Sequence, residues 1–341
     1  MRWTALVMLV GCGGSVASDA GCTIESHEDG TATMTCPGGS SVTVATVDTD
    51  VTGDTDDALT GCGPVSVVFG DYTAENSVDL ALLRCVTEVT GSLTIQGTVL
   101  PSLSDLAMLT TVGGDLIVDN NDALASLSGL DALTSVGGDL IVLRNGALTS
   151  MSGLDALTTV GGLLSVYESG ALTSLSGLGA VRTVGHLLVS GNGALTSMSG
   201  LDALTSVGGD LSVLSNVALP SLAGLDAVRT VGGSLQVFSN AALPSLAGLD
   251  AVRTVGGSLR VGGNFELVSL SGLDALTSIG GDLNINGNPG LTSLSGLAAL
   301  TSVVGMLSVS GNSSLCQSQV AVLDARLAAT CSSCSGNLSG C

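Results

Sequence analysis

The chain repeats itself with a fixed period. The segment 134–157, Thr-Ser-Val-Gly-Gly-Asp-Leu-Ile-Val-Leu-Arg-Asn-Gly-Ala-Leu-Thr-Ser-Met-Ser-Gly-Leu-Asp-Ala-Leu, recurs with small changes from residue 110 to 315. Copies start at 110, 134, 158, 182, 205, 229, 253, 277 and 301, and every step is 24 residues except the 23 between 182 and 205. Degenerate copies reach back through 86–109 and 62–85. A period of this size marks a solenoid, in which one copy cannot bury its own apolar face and stacking on neighbours completes the core.

Counted from the first residue of each copy, apolar side chains fall at positions 3, 7, 9, 15, 18, 21 and 24. In the second full copy these are Val136, Leu140, Val142, Leu148, Met151, Leu154 and Leu157. The 7–9 pair alternates with period two, as a half-buried strand does. Gly-Gly at positions 4–5 and Ser-Gly at 19–20 break any continuous helix and suit tight corners. Each copy therefore reads as one coil of a mainly β, parallel β-helix solenoid, stacked ~4.8 Å from the next. Burying each apolar side chain contributes about 1.5–3 kcal/mol, which offsets backbone ordering only when coils stack.

Three columns of side chains run along the stack. Position 12 is Asn121, Asn145, Asn192, Asn216, Asn240, Asn264, Asn288 and Asn312, with Ser169 as the exception. Asn tolerates left-handed backbone and its amide can bond up and down a stack, so this column predicts a structural ladder. Position 22 aligns Asp131, Asp155, Asp202, Asp226, Asp250 and Asp274. Calcium takes 6–8 oxygens and one column offers two neighbouring carboxylates, so these read as solvated turn caps, with Arg229 and Arg253 placed to relieve repulsion. No metal and no cofactor is expected. Thr149, Thr173 and Thr196 also align, which raises ice binding as a distant alternative, but Pro220 and Pro244 interrupt that column.

Core positions hardly vary between coils, whereas positions 8, 10 and 11 do. Position 10 runs Asp119, Leu143, Tyr167, Ser190, Leu214, Phe238, Gly262, Asn286, Ser310. These side chains point away from the core, and exposed apolar patches mark interaction sites. The expectation is an exposed stripe of Leu143, Tyr167, Leu214 and Phe238, flanked by Arg144, Glu168, Gln236 and Arg260, that binds a protein or glycan partner.

The ends read differently. Residues 1–11 carry one arginine and then an apolar run, the order of a signal peptide. Leu9-Val10-Gly11-Cys12 resembles the lipobox of bacterial lipoproteins, which implies lipidation of Cys12, a membrane partner through that anchor, and export. Gly13 after the cysteine implies, by the same resemblance, the outer membrane. Residues 12–21 read as a flexible tether, 22–45 as a small β-hairpin or meander around Asp29-Gly30, and 46–61 as an acidic linker. The solenoid spans 62–315, and 316–341 is a Cys-rich cap. Within it, Val320, Leu323 and Leu327 have helical spacing and predict a short amphipathic lid. With Cys12 set aside, Cys22, Cys36, Cys62, Cys85, Cys316, Cys331, Cys334 and Cys341 make an even number in three clusters, the arithmetic of disulfides in an oxidising compartment. Cys22–Cys36 would staple the hairpin and Cys62–Cys85 the first coil; the pairing of the last four stays open.

The stretch Cys85-Val-Thr-Glu-Val-Thr-Gly-Ser-Leu-Thr-Ile95 followed by leucine-rich coils resembles the receptor L domain of insulin and epidermal growth factor receptors. It is more similar still to longer versions in high-GC deltaproteobacteria such as myxobacteria. The resemblance covers roughly 62–335 and implies a right-handed β-helix related in outline to leucine-rich repeats. It implies no ligand-binding residues, since no receptor motif for them is present.

Charge and motifs narrow the function. Eight basic residues, all arginine, face 29 acidic ones for a net charge of −21. Nucleic-acid binding needs a basic footprint, so nucleic acid and other polyanions are not expected partners. There is no GxSxG, Walker loop or HExxH, and there are two histidines. β-Helical polysaccharide-processing enzymes build clefts from loops inserted between coils, and insertions here are nil across nine coils. The chain reads as a non-enzymatic surface recognition or adhesion module, with a passive spacer lipoprotein as the alternative.

Overall fold

A computed structural model describes residues 23–26, 31–35, 41–45, 66–327, 331–339 and 341. The protein is mainly β, with parallel sheets wound into a solenoid of about 11 turns. Position-7-to-10 strands of successive coils stack into a 12-stranded sheet running from Tyr72–Ala74 to Cys331–Ser333. Register is strict: Leu140 pairs with Leu116 and Leu164, and Val142 with Val118 and Val166. Two-residue strands at positions 2–3, such as Ser135–Val136, stack on a second side. All seven predicted apolar positions of the second coil are 0% exposed, so one continuous core runs through the stack.

The third side explains the apolar spacing of three. Leu148 N–H bonds the Asn145 carbonyl, Leu154 the Met151 carbonyl and Leu157 the Leu154 carbonyl, a chain of i→i+3 turns. Side chains three apart eclipse in such turns, so positions 15, 18, 21 and 24 all face inward. Gly at position 20 makes this path possible. Gly224 has φ +113°, and a Cβ there would sit 2.4 Å from the Met198 carbonyl oxygen one coil back.

The asparagine column is a ladder. Asn192 N–H donates to Asn216 Oδ1 at 3.1 Å, and Asn216 Nδ2 donates to the Val189 carbonyl at 2.9 Å. The pattern repeats through Asn312, and all eight asparagines are 0% exposed. Left-handed backbone, however, is not at position 12 but at position 11, in Asn120, Arg144, Glu168, Ser215 and Ser239 and in four glycines. The asparagines are selected for their buried amides alone. At the exception, Asn145 N–H reaches Ser169 Oγ at 3.4 Å, longer than its neighbours. Ser169→Asn should restore the rung and raise stability by about 1 kcal/mol, read from urea unfolding; a loss of stability would show that this coil cannot seat the amide.

A second ladder was not anticipated. The position-6 side chain accepts the position-6 N–H of the next coil: Asp139 N–H to Asp115 Oδ1 at 2.8 Å, Ser234 N–H to Asp210 Oδ1 at 2.7 Å, Asp210 N–H to His186 Nδ1 at 2.9 Å. The 23-residue coil lacks one corner glycine, and its strand lengthens to His186–Ser190. There the short-strand side breaks into two sheets, between Thr159–Val160 and Thr183–Val184, while the 12-stranded sheet continues.

Both ends are joined to the solenoid by strand pairing. Within 22–45 the described strands follow the meander reading, not the hairpin alone. β1 (Thr23–Ser26), β2 (Thr31–Thr35) and β3 (Ser41–Ala45) form an antiparallel meander, and β3 pairs with β4 (Ser66–Val68) of the first coil. Ser41-Val-Thr-Val-Ala45 alternates like the strands before it, which supplies the third strand. The Cys22–Cys36 staple and the 46–61 linker lie outside the described residues. Cys85 is disulfide-bonded; its expected partner Cys62 also lies outside them.

At the other end the solenoid does not stop at 315. The helix α1 (Gln317–Leu327) buries Val320 and Leu323 and closes the core, as expected of a lid. Beyond it, Cys331–Ser333 pairs with the strand Leu307–Ser310 through a bulge, and Asn337 adds a ninth asparagine rung, donating to the Val309 carbonyl at 2.8 Å. Gly336-Asn337 reproduces positions 11–12, so the terminus is a degenerate last coil. Cys316–Cys341 and Cys331–Cys334 are the disulfides that tie it down.

Candidate recognition face

Positions 7 and 9 are buried, so 8 and 10 project from the outer side of the 12-stranded sheet. The ladders at positions 6 and 12 border this surface on either side and hold its strands in register. The predicted stripe at position 10 is present but neither fully exposed nor continuous. Leu143, Tyr167, Leu214 and Phe238 are each half-buried. Leu143 registers with Tyr167 and Leu214 with Phe238, but Ser190 separates the pairs.

Continuity comes from position 8, where sequence reasoning picked out Gln236 and Arg260 but missed Ile117, Ile141 and Leu188. Ile117 registers with Ile141, which lies two residues from Leu143 on the same face, and Leu188 sits between Ser165 and Ser212. Period-two alternation around Val118, Val142 and Val189 was the signal that could have found them. Together these side chains make an apolar and serine-bearing surface across six coils. Large side chains in register cover one another, which is why they are half-buried.

Charges sit at its margin. Arg144 and Glu168 occupy position 11 with φ of 53° and 50°, where four other coils use glycine and three use Asn or Ser. Left-handed backbone costs an L-residue about 1–3 kcal/mol, and strain of this kind clusters where a side chain is put to use. Arg144 turns back on Asp119 with a bidentate pair at 3.1 and 2.7 Å, and this hydrogen bond and charge raise the guanidinium pKa further. The neighbouring Glu168 carboxylate holds the Tyr167 phenol above its ordinary pKa. Arg260 is exposed and Gln236 half-buried, in register on adjacent strands.

The aspartate column is a set of turn caps, Asp131 Oδ2 accepting from Gly129 N–H at 2.8 Å and Asp226 Oδ2 from Gly224 N–H at 2.8 Å. Arg229 and Arg253 do not pair with it: the ion pairs among the described residues are Arg84–Asp105 and Arg144–Asp119. Each carboxylate instead accepts from its own turn's glycine N–H. Thr173 and Thr196 spend their hydroxyls on carbonyls of the preceding coil. Among the described residues no group of His, Cys, Asp and Glu is arranged to hold a metal, and no helix is long and apolar enough to cross a membrane. Phe265, Val217 and Val268 are further exposed apolar side chains past the end of this sheet, also unanticipated.

No family model, no curated protein and no solved structure matches the chain.

Proposed function

We propose that this is a non-enzymatic, exported, lipid-anchored surface protein whose solenoid recognises a protein or glycan through the outer face of its 12-stranded sheet. The observation that carries this reading is the run of apolar side chains, interrupted by serines, from Ile117 to Phe238 on a sheet whose register two ladders hold, the asparagine one buried and the position-6 one at the surface. A spacer needs a rigid core but has no use for apolar side chains on its outer face. Placing the anchor at Cys12 agrees with the lipobox resemblance, and the bacterial L-domain-like resemblance agrees with a cell-surface role.

The test has two arms. Cys12→Ser should abolish metabolic labelling with palmitate and release the protein from membranes. Tyr167→Ser combined with Phe238→Ser should reduce partner capture from intact cells at least tenfold without changing the folded far-UV spectrum. A labelled Cys12→Ser protein rejects the anchor, and unchanged capture rejects the face.

A further inference from the structure

Several polar side chains on the outer sheet face are already satisfied from within. Asp119 is held by Arg144, and Asn286 Oδ1 accepts from Ser308 Oγ and from Ser310 N–H and Oγ. One row of longer, planar side chains is not. Gln236, Arg260 and Asn284 stand in register on three adjacent strands, and none makes a side-chain hydrogen bond or ion pair within the described residues. They present two amides and a guanidinium, all planar, at the ~4.8 Å strand spacing.

Beside that row lies an aromatic ring. Phe238 registers with Gly262, which has no side chain, and a Cβ at 262 would come within 2.5 Å of Phe238 Cε1. The phenyl ring therefore leans across the next strand into the space the glycine leaves. An aromatic surface edged by unpaired planar donors and acceptors suits a pyranose ring, whose C–H face packs on the aromatic and whose neighbouring hydroxyls take paired hydrogen bonds.

Charge and backbone decide between partner classes. From Ser165 to Ser310, positions 8 and 10 hold no carboxylate and one cation, Arg260, so a basic peptide finds no counter-charge there. A polyanion is disfavoured by the chain's −21. Interior strands have their backbone groups bonded on both sides, so an extended peptide cannot add to this surface by strand pairing.

We propose that Gln236, Phe238, Arg260 and Asn284 form a subsite for an uncharged polysaccharide, an assignment that rests on the recognition reading of this face. The purified full chain is probed with an array of neutral and carboxylated oligosaccharides, and affinity for the best binder is then titrated calorimetrically. Binding should be confined to uncharged oligosaccharides. Phe238→Ala should weaken it at least tenfold and Asn284→Ala severalfold, while Val322→Ser, exposed on the C-terminal helix away from the face, leaves it unchanged. Binding to carboxylated oligosaccharides alone, equal binding by Phe238→Ala, or no binding to any oligosaccharide would overturn the subsite. If saccharide binding fails while partner capture remains sensitive to Tyr167 and Phe238 together, the recognition face stands without this ligand; if both fail, both fall.

Discussion

Asn216→Ala lowers unfolding stability by about 2–4 kcal/mol, although it removes only an amide. The substitution strands the buried Asn192 N–H, whose acceptor is Asn216 Oδ1, and deletes the bond from Asn216 Nδ2 to the Val189 carbonyl. A buried donor left without a partner costs about 1–3 kcal/mol, and the second hydrogen bond about 1 more. Water cannot compensate, because the site is 0% exposed. The effect also spreads, since nearest-neighbour coupling holds a solenoid together and a weakened interface divides it. Urea unfolding should therefore show both a lower midpoint and a broadened or two-step transition. A change below about 0.5 kcal/mol would mean that the ladder decorates the stack instead of holding it.

Gly224→Ala has the other large expected effect, a loss of about 3 kcal/mol or more. At φ +113° an alanine is strained by about 1–3 kcal/mol wherever it sits. Here its Cβ would also lie 2.4 Å from the backbone oxygen of Met198, so one coil must move away from the next. Gly170→Ala is the control. Nothing lies within 4 Å of a Cβ there and its backbone is not left-handed, so the change should be neutral or stabilising by up to about 1 kcal/mol. Equal effects at the two sites, measured by thermal unfolding, would remove the steric account of position 20.

Much of this architecture was legible in the sequence because the solenoid writes the same coil nine times. The seven apolar positions and the asparagine column follow from identities that hardly change, and the lid from the helical spacing of Val320, Leu323 and Leu327. What was not legible lies where identity varies but chemistry persists. At position 6, Asp115, Asp139, His186, Asp210, Ser234 and Ser258 share only an acceptor atom at the same reach, so the second ladder has no residue signature. At position 12 the amide was recognised, but the left-handed turn belongs one residue earlier, where Arg144 and Glu168 gave no glycine signal. The last coil was hidden because a helix and a bulge separate Asn337 from the regular period.

The face was half legible. Position 10 announced itself through Tyr167 and Phe238, whereas Ile117, Ile141 and Leu188 at position 8 were not singled out among the many leucines and valines. The period-two alternation around Val118, Val142 and Val189 turns those three outward.

The most direct measurement places a photo-cross-linking side chain at Leu214 on the sheet face and, separately, at Asp226 on the turn side, in cells carrying the full chain. The face account predicts a discrete adduct from position 214 and none from 226. An adduct from 226 alone, or identical adducts from both positions, would contradict it.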